Sequence, residues 1–199
     1  MLKTIVKISN INNLSDARYC AGMGVEMLGF SMDDLEFDKF KEMRGWVAGV
    51  QVVGETAANN VSTIIDLVEK YQPDFLQISH WEDIAQIQRI GKPIILKLDF
   101  ATANLPALFQ ATRGFVEYFV LENSDEFAVV DEATLSQLDA WSFQYPILLG
   151  FGMKKTTVNS LLAQTQLKGF ALKGGDEIRP GFGDSEELMN LLEILETED

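Results

Sequence analysis

Gly169-Phe170-Ala171-Leu172-Lys173-Gly174-Gly175-Asp176-Glu177-Ile178-Arg179-Pro180-Gly181-Phe182-Gly183-Asp184 is the stretch from which the rest of this chain is read. An apolar run ending at Lys173 passes into a double glycine, an acidic pair and Pro180-Gly181, and a helical pattern begins around Ser185. The sequence predicts a strand, a turn and a helix. Glycines without a Cβ let backbone N–H groups converge on one anion, and a helix start adds the positive end of its dipole. Lys173, Gly174 and Gly175 thus form a candidate phosphate cradle, with a plain strand-to-helix turn as the other reading of Gly-Gly.

The same unit recurs upstream. Apolar, β-branched runs at residues 4–8, 26–30, 46–53, 74–79, 93–99, 116–121, 145–150 and 168–173 read as strands. Between them lie helical patterns. Ser15 is the expected cap of the first, which closes near Gly22 and Gly24, and Leu35, Phe40 and Met43 mark a weaker second. Val61, Ile64, Ile65 and Val68 stand at i, i+3, i+4 and i+7, and Ile84, Ile87 and Ile90 follow. A fifth helix covers 105–112 with Pro106 near its start, a sixth carries Leu135 and Leu138 and runs to about Trp141, and Val158, Leu161 and Leu162 line a seventh. Leu188, Leu191, Leu192 and Leu195 close the series. Eight strand–helix units at roughly 25 residues each predict a single α/β domain over 1–199, a parallel (β/α)8 TIM barrel. An open doubly wound sheet would place glycines after its first strand, where Ser9-Asn10-Ile11-Asn12-Asn13 has none.

Composition narrows the partners. A net charge of -14 and a pI near 4.4 argue against nucleic acid, which needs a basic face. No apolar run reaches membrane-span length, and Met1-Leu2-Lys3 shows no signal-peptide pattern. The lone Cys20 cannot form an internal disulfide, so a reducing cytoplasm is expected, and the Glu196–Asp199 tail reads as a frayed acidic end. The expected partner is a phosphorylated small molecule bound by a monomer or homodimer. His80 is the only histidine and has no evident carboxylate company, so neither a metal nor another cofactor is expected.

At the strand ends the residues resemble one family. Val6-Lys7-Ile8-Ser9-Asn10-Ile11 with Asn13-Leu14-Ser15-Asp16-Ala17 is similar to the KICGI strand and T-x-x-D-A helix start of phosphoribosylanthranilate isomerase. Gly24 to Phe30 resembles its GAD-x-LGF, Leu76-Gln77-Ile78-Ser79-His80 its VQLHG, and Val120 to Ser124 its LLDS. Leu149-Gly150-Phe151-Gly152-Met153 is similar to LAGGL, and the closing stretch to DVSSGVE followed by PG-x-KD. The resemblance spans the whole chain in order. It implies an Amadori-type aldose–ketose isomerisation of a phosphoribosyl amine in tryptophan biosynthesis, with a strand-one Cys as base and a strand-six Asp as acid.

Those two positions read Ser9 and Glu122, which are the candidate catalytic residues. A serine hydroxyl is a poor base near neutrality unless activated, and Glu carries its acid one methylene further out. The family's Ser-Pro-Arg, whose Arg meets the anthranilate carboxylate, gives way to Ser31-Met32-Asp33-Asp34, and its strand-four His to Ser79. Asp33, Glu55 and Asp99 are the candidate substitute bases. The phosphate end retains Gly152, Lys173, Gly174, Gly175 and the Pro180-Gly181 turn. Lys173 can instead pair with Asp176 or Glu177. Strand alternation puts Lys7 and Ser9 on one face, as it does Lys97 and Asp99, so Lys7, Ser79, His80 and Lys97 are further mouth candidates. Three functions stay open: the family isomerisation, a related reaction on a different phosphorylated small molecule, and non-catalytic binding of a phosphometabolite.

Overall fold

A computed structural model describes residues 1–175, 177–179, 182–183 and 185–197. Eight parallel strands close on themselves in chain order: β1 Ile5–Ser9, β2 Met27–Ser31, β3 Gln51–Glu55, β4 Phe75–Ile78, β5 Ile94–Asp99, β6 Tyr118–Glu122, β7 Ile147–Leu149 and β8 Gly169–Lys173. Five register pairs from Ile5↔Gly169 to Ser9↔Lys173 seal β1 against β8. The helices alternate with the strands: α1 Leu14–Gly22, α2 Phe37–Trp46, α3 Val61–Tyr71, α4 Ile84–Ile87, α5 Leu105–Thr112, α6 Glu132–Ser142, α7 Val158–Gln164 and α8 Glu186–Leu195. This is the predicted (β/α)8 barrel.

Both faces of each strand are covered, which is why the strands read as apolar runs rather than alternating ones. Outward-facing Val6, Ile8, Leu28, Phe30, Leu96 and Phe119 pack under the helices. Inward-facing Met27, Val53, Ile95, Val120, Leu148 and Ala171 fill the barrel's centre. Lys7 sits on that same inner face, between Met27 and Ala171 in register, and is fully buried.

Several local expectations are corrected. The N-cap of α1 is Asn13, whose side chain accepts the Asp16 N–H at 2.9 Å, and Ser15 instead donates to that same Asn13 oxygen. Trp46 ends α2 with its ring exposed, and β3 begins only at Gln51, because the intervening Gly49 adopts a positive φ. The pattern of Ile84, Ile87 and Ile90 yields a single α-turn running into a 3-10 turn at Gln88–Ile90. After β8 the chain forms an antiparallel ribbon, β9 Glu177–Arg179 against β10 Phe182–Gly183, before α8 starts. Asp176, Pro180 and Gly181 of the predicted turn, and Glu198 and Asp199 of the acidic tail, lie outside the described residues.

Candidate functional site

The C-terminal ends of the strands form the mouth, and it divides into two halves. On the β1–β3 side the buried Lys7 stem runs up the barrel axis and its ammonium meets two acceptors. It donates to Ser9 Oγ at 2.7 Å and forms a short ion pair with Glu55 Oε1. The other Glu55 oxygen accepts the Asn10 N–H at 3.0 Å. A buried charge survives only when paired and hydrogen-bonded, and here both conditions are met. Gly29 makes the room, since a Cβ there would overlap Glu55 Oε1 and stand 3.0 Å from Lys7 Nζ.

This network commits Ser9. Ser9 is 6% exposed and its Oγ accepts a hydrogen bond from an ammonium, which lowers its basicity toward a substrate. Asp33 is likewise engaged: Thr56 Oγ1 donates to it at 2.6 Å and the Ala57 N–H at 2.7 Å, stapling the β2α2 loop to the β3α3 loop. Of the candidate bases, Glu55 is held by Lys7 and Asp99 accepts the Ala101 N–H at 2.7 Å.

The β5–β8 side is more open. Lys97 Nζ stands 4.0 Å from Glu122 Oε2, with the two side chains 37% and 20% exposed. Gly150 lets the Glu122 stem lie where it does, because a Cβ there would come within 2.9 Å of Glu122 Cγ. Ser9, Ser79, Lys97, Glu122 and Lys173 line one mouth cavity of about 310 Å³. Lys173 also lines the neighbouring cavity of about 470 Å³ with Gly152, Gly174 and Gly175. The structure thus brings Ser9, Glu122, Lys97, Ser79 and Lys173 to one mouth and sets Lys7 beneath it. His80 lines neither cavity, although its neighbours Ser79 and Trp81 both border a groove beside Glu122.

The double glycine departs from the cradle expected of it. The Gly174 N–H donates to the Ser9 carbonyl at 2.9 Å and the Gly175 N–H to Asp16 Oδ2 at 3.1 Å. Ser185 Oγ donates to the other Asp16 oxygen at 2.5 Å. Asp16, itself buried, is therefore an internal anion that ties α1 to the β8 turn and the start of α8. Asp125, Glu126 and Glu187 add carboxylates to the larger cavity, where Lys173 is the one cation among the described lining residues. Among the described residues lining this cavity, the cation left for an external anion is the exposed Lys173.

Sequence reasoning missed Asp16 and Gln77. Gln77 faces inward from β4, is 4% exposed, and its Oε1 has no hydrogen-bond partner among the described residues. The single thiol, Cys20, is on the buried side of α1 away from the mouth, where burial and then the Asp16 charge push its pKa up to about 12. Among the described residues no cluster of three or more His, Cys, Asp or Glu side chains is placed to hold a metal ion.

No protein-family model matches this sequence, and no curated protein matches it. Solved structures do. Phosphoribosyl anthranilate isomerase from Thermotoga maritima superposes with a TM-score of 0.79 at 18% identity, over 96% of this chain and 98% of that one. The fold is that of phosphoribosylanthranilate isomerase. A structure of that enzyme in complex with reduced 1-(o-carboxyphenylamino)-1-deoxyribulose 5-phosphate gives a TM-score of 0.76 at 18% identity, again over 96% and 98%. A truncated 3-deoxy-D-arabino-heptulosonate 7-phosphate synthase from Thermotoga maritima, at 0.64 and 18% over 95% and 83%, has the same kind of barrel with another chemistry in its name. Fold alone therefore does not select the reaction.

Proposed function

We propose that this barrel is a proton-transfer enzyme of the aldose–ketose isomerase type, acting on a small phosphorylated polyhydroxy substrate that lacks an anthranilate carboxylate. Glu122 beside Lys97 carries the reading. An isomerisation of this kind needs one group to shuttle a proton between neighbouring carbons or to the ring oxygen, and a partly exposed carboxylate paired with a movable ammonium at the mouth suits it. Lys97 balances the charge of Glu122 when the carboxylate is ionised and can follow the substrate's oxygen as it gains charge. Lys173, shared by the two cavities, receives the phosphate while the reacting carbons lie over Glu122. Ser9 is a member of the Lys7–Glu55 network, not the base. The setting is a reducing cytoplasm, in which the buried Cys20 thiol stays reduced; no helix among the described residues is long and apolar enough to cross a membrane.

Phosphoribosylanthranilate isomerisation itself is the second reading, favoured by end-to-end superposition on enzymes of that name, one of them described as dimeric. Asp33 and Asp34 weigh against it, since both border the mouth cavity and would repel the anthranilate carboxylate. The deciding experiment runs the purified protein against freshly generated phosphoribosylanthranilate and against a panel of phosphorylated aldoses and amino sugars. It is paired with complementation of a tryptophan auxotroph lacking the isomerase. Turnover of a phosphosugar without complementation supports the first reading, and growth with turnover of phosphoribosylanthranilate supports the second. A folded protein that binds phosphosugars and turns none over would leave a binding barrel and sink both.

A further inference from the structure

The two halves of the mouth ask for different ends of a ligand. Asp33, Asp34, Glu55 and Glu122 line the smaller cavity together with Lys97 and Lys173. Glu55 is paired with the buried Lys7, Glu122 faces Lys97, and both Asp33 oxygens hold the β3α3 loop, which leaves Asp34 on one side of the cavity and Lys173 on the other. Asp34 is exposed, and among the described residues its carboxylate is bound within its own loop, by the Ser31 hydroxyl at 3.1 Å. Gln77 lines the same cavity.

Gln77 is 4% exposed and its Oε1 accepts no hydrogen bond from any described residue. Its neighbours in register are Glu55 on β3 and Ile95 on β5, an acceptor already committed to Lys7 and a hydrocarbon. Neither can donate. A buried amide oxygen without a donor costs folding free energy, and a group kept at such a cost is explained when a bound molecule completes it.

Resting on the reading of this mouth as a phosphosugar site, we infer that the ligand carries a protonated amine together with its phosphate, and that Gln77 is a specificity-determining residue. The amine faces Asp34, an N–H or O–H of the same end donates to Gln77 Oε1, and the phosphate lies toward Lys173. The substrate class is a phosphorylated amino sugar or a similar amino polyol phosphate. The additional carboxylates Asp125, Glu126 and Glu187 in the neighbouring cavity fit the same preference for a ligand that is not a bare anion.

Calorimetric titration of the full chain at pH 7 tests this with four probes: glucosamine 6-phosphate, glucose 6-phosphate, glucosamine and inorganic phosphate. The amino sugar phosphate is expected to bind at least tenfold more tightly than glucose 6-phosphate. Asp34→Asn removes most of that preference, and Gln77→Met weakens glucosamine 6-phosphate about tenfold while leaving inorganic phosphate unchanged and raising the thermal midpoint of the free protein. Equal affinity for the two sugar phosphates, in wild type, overturns the inference and leaves the phosphosugar reading standing. A full preference retained in both variants also overturns it. Binding of glucosamine and glucosamine 6-phosphate with equal strength, and of neither phosphate nor glucose 6-phosphate, keeps the amine end and removes the phosphate end. Failure of all four probes overturns both.

Discussion

The two sides of the mouth differ in how completely their charges are used. On the β1–β3 side Lys7, Ser9, Glu55 and the Asn10 N–H satisfy one another, and Asp33 is spent on holding two loops together. On the β5–β8 side Lys97 and Glu122 stand apart at 4.0 Å and Lys173 has an exposed side chain. Groups that are buried and mutually satisfied fix structure, whereas partly exposed ones can change partners when a ligand arrives. The scaffold's polar anchor thus stands at Ser9, where the family resemblance places a base, and the proton transfer we propose lies across the barrel at Glu122.

The largest effect should come from breaking the closed side. Lys7→Met strands the Glu55 carboxylate beside the barrel core and is expected to cost about 3–5 kcal/mol, read as a lower urea midpoint at an unchanged slope. Lys7→Met with Glu55→Leu should recover much of that loss. A single variant within about 1 kcal/mol of wild type would show that the network is not an anchor.

Next comes the open side. Glu122→Gln should cut turnover of the accepted substrate about a hundredfold or more while the thermal midpoint barely moves, since the side chain is partly exposed and its one ion pair is long. An unaffected rate would remove Glu122 from the mechanism and erase the contrast. Lys173→Ala, a smaller change, should weaken inorganic phosphate about tenfold, or about 1.4 kcal/mol. Equal affinity in the two proteins would take Lys173 out of the anion site.

The smallest effect concerns Cys20, the only thiol of the chain. Its folded pKa of about 12 lies above that of an unfolded thiol, so the native state holds its proton where the unfolded state has lost it. Its contribution is fully present below about pH 8.5 and is lost as pH rises toward 12. Stability should therefore fall less steeply above pH 9 in Cys20→Ala than in wild type. The native thiol should also react with a disulfide reagent at pH 8 on the order of a hundredfold more slowly than in urea. Fast labelling of the native protein would show that packing on α1 does not shield the thiol.

The fold was legible because its signals are local and repeated. Apolar strand runs, helix spacings such as Leu188, Leu191, Leu192 and Leu195, and the absence of a glycine after Ser9 need no knowledge of distant residues. Boundaries were less so: Asn13 outcompeted Ser15 as cap because its side chain reaches the Asp16 N–H, a matter of one backbone conformation. Alternation also sufficed to put Lys7 with Ser9, and Lys97 with Asp99, on one face of a strand, while which face turns inward came from the family resemblance.

What alternation cannot say is which inner residues meet across the barrel. That Lys7 pairs with Glu55, 48 positions away, and that Asp16 takes the N–H of Gly175, 159 positions away, follows only from closing eight strands into a ring. The Gly174-Gly175 turn shows the cost of reading such a site in one dimension. Its N–H groups have the freedom to hold an anion, but the anion one of them holds is the protein's own, brought there by α1. The sequence determined by itself that this chain is an acidic (β/α)8 barrel, because period and punctuation are properties of neighbours. Which charges remain free to act was decided by the tertiary structure, because pairing is a property of distance in space.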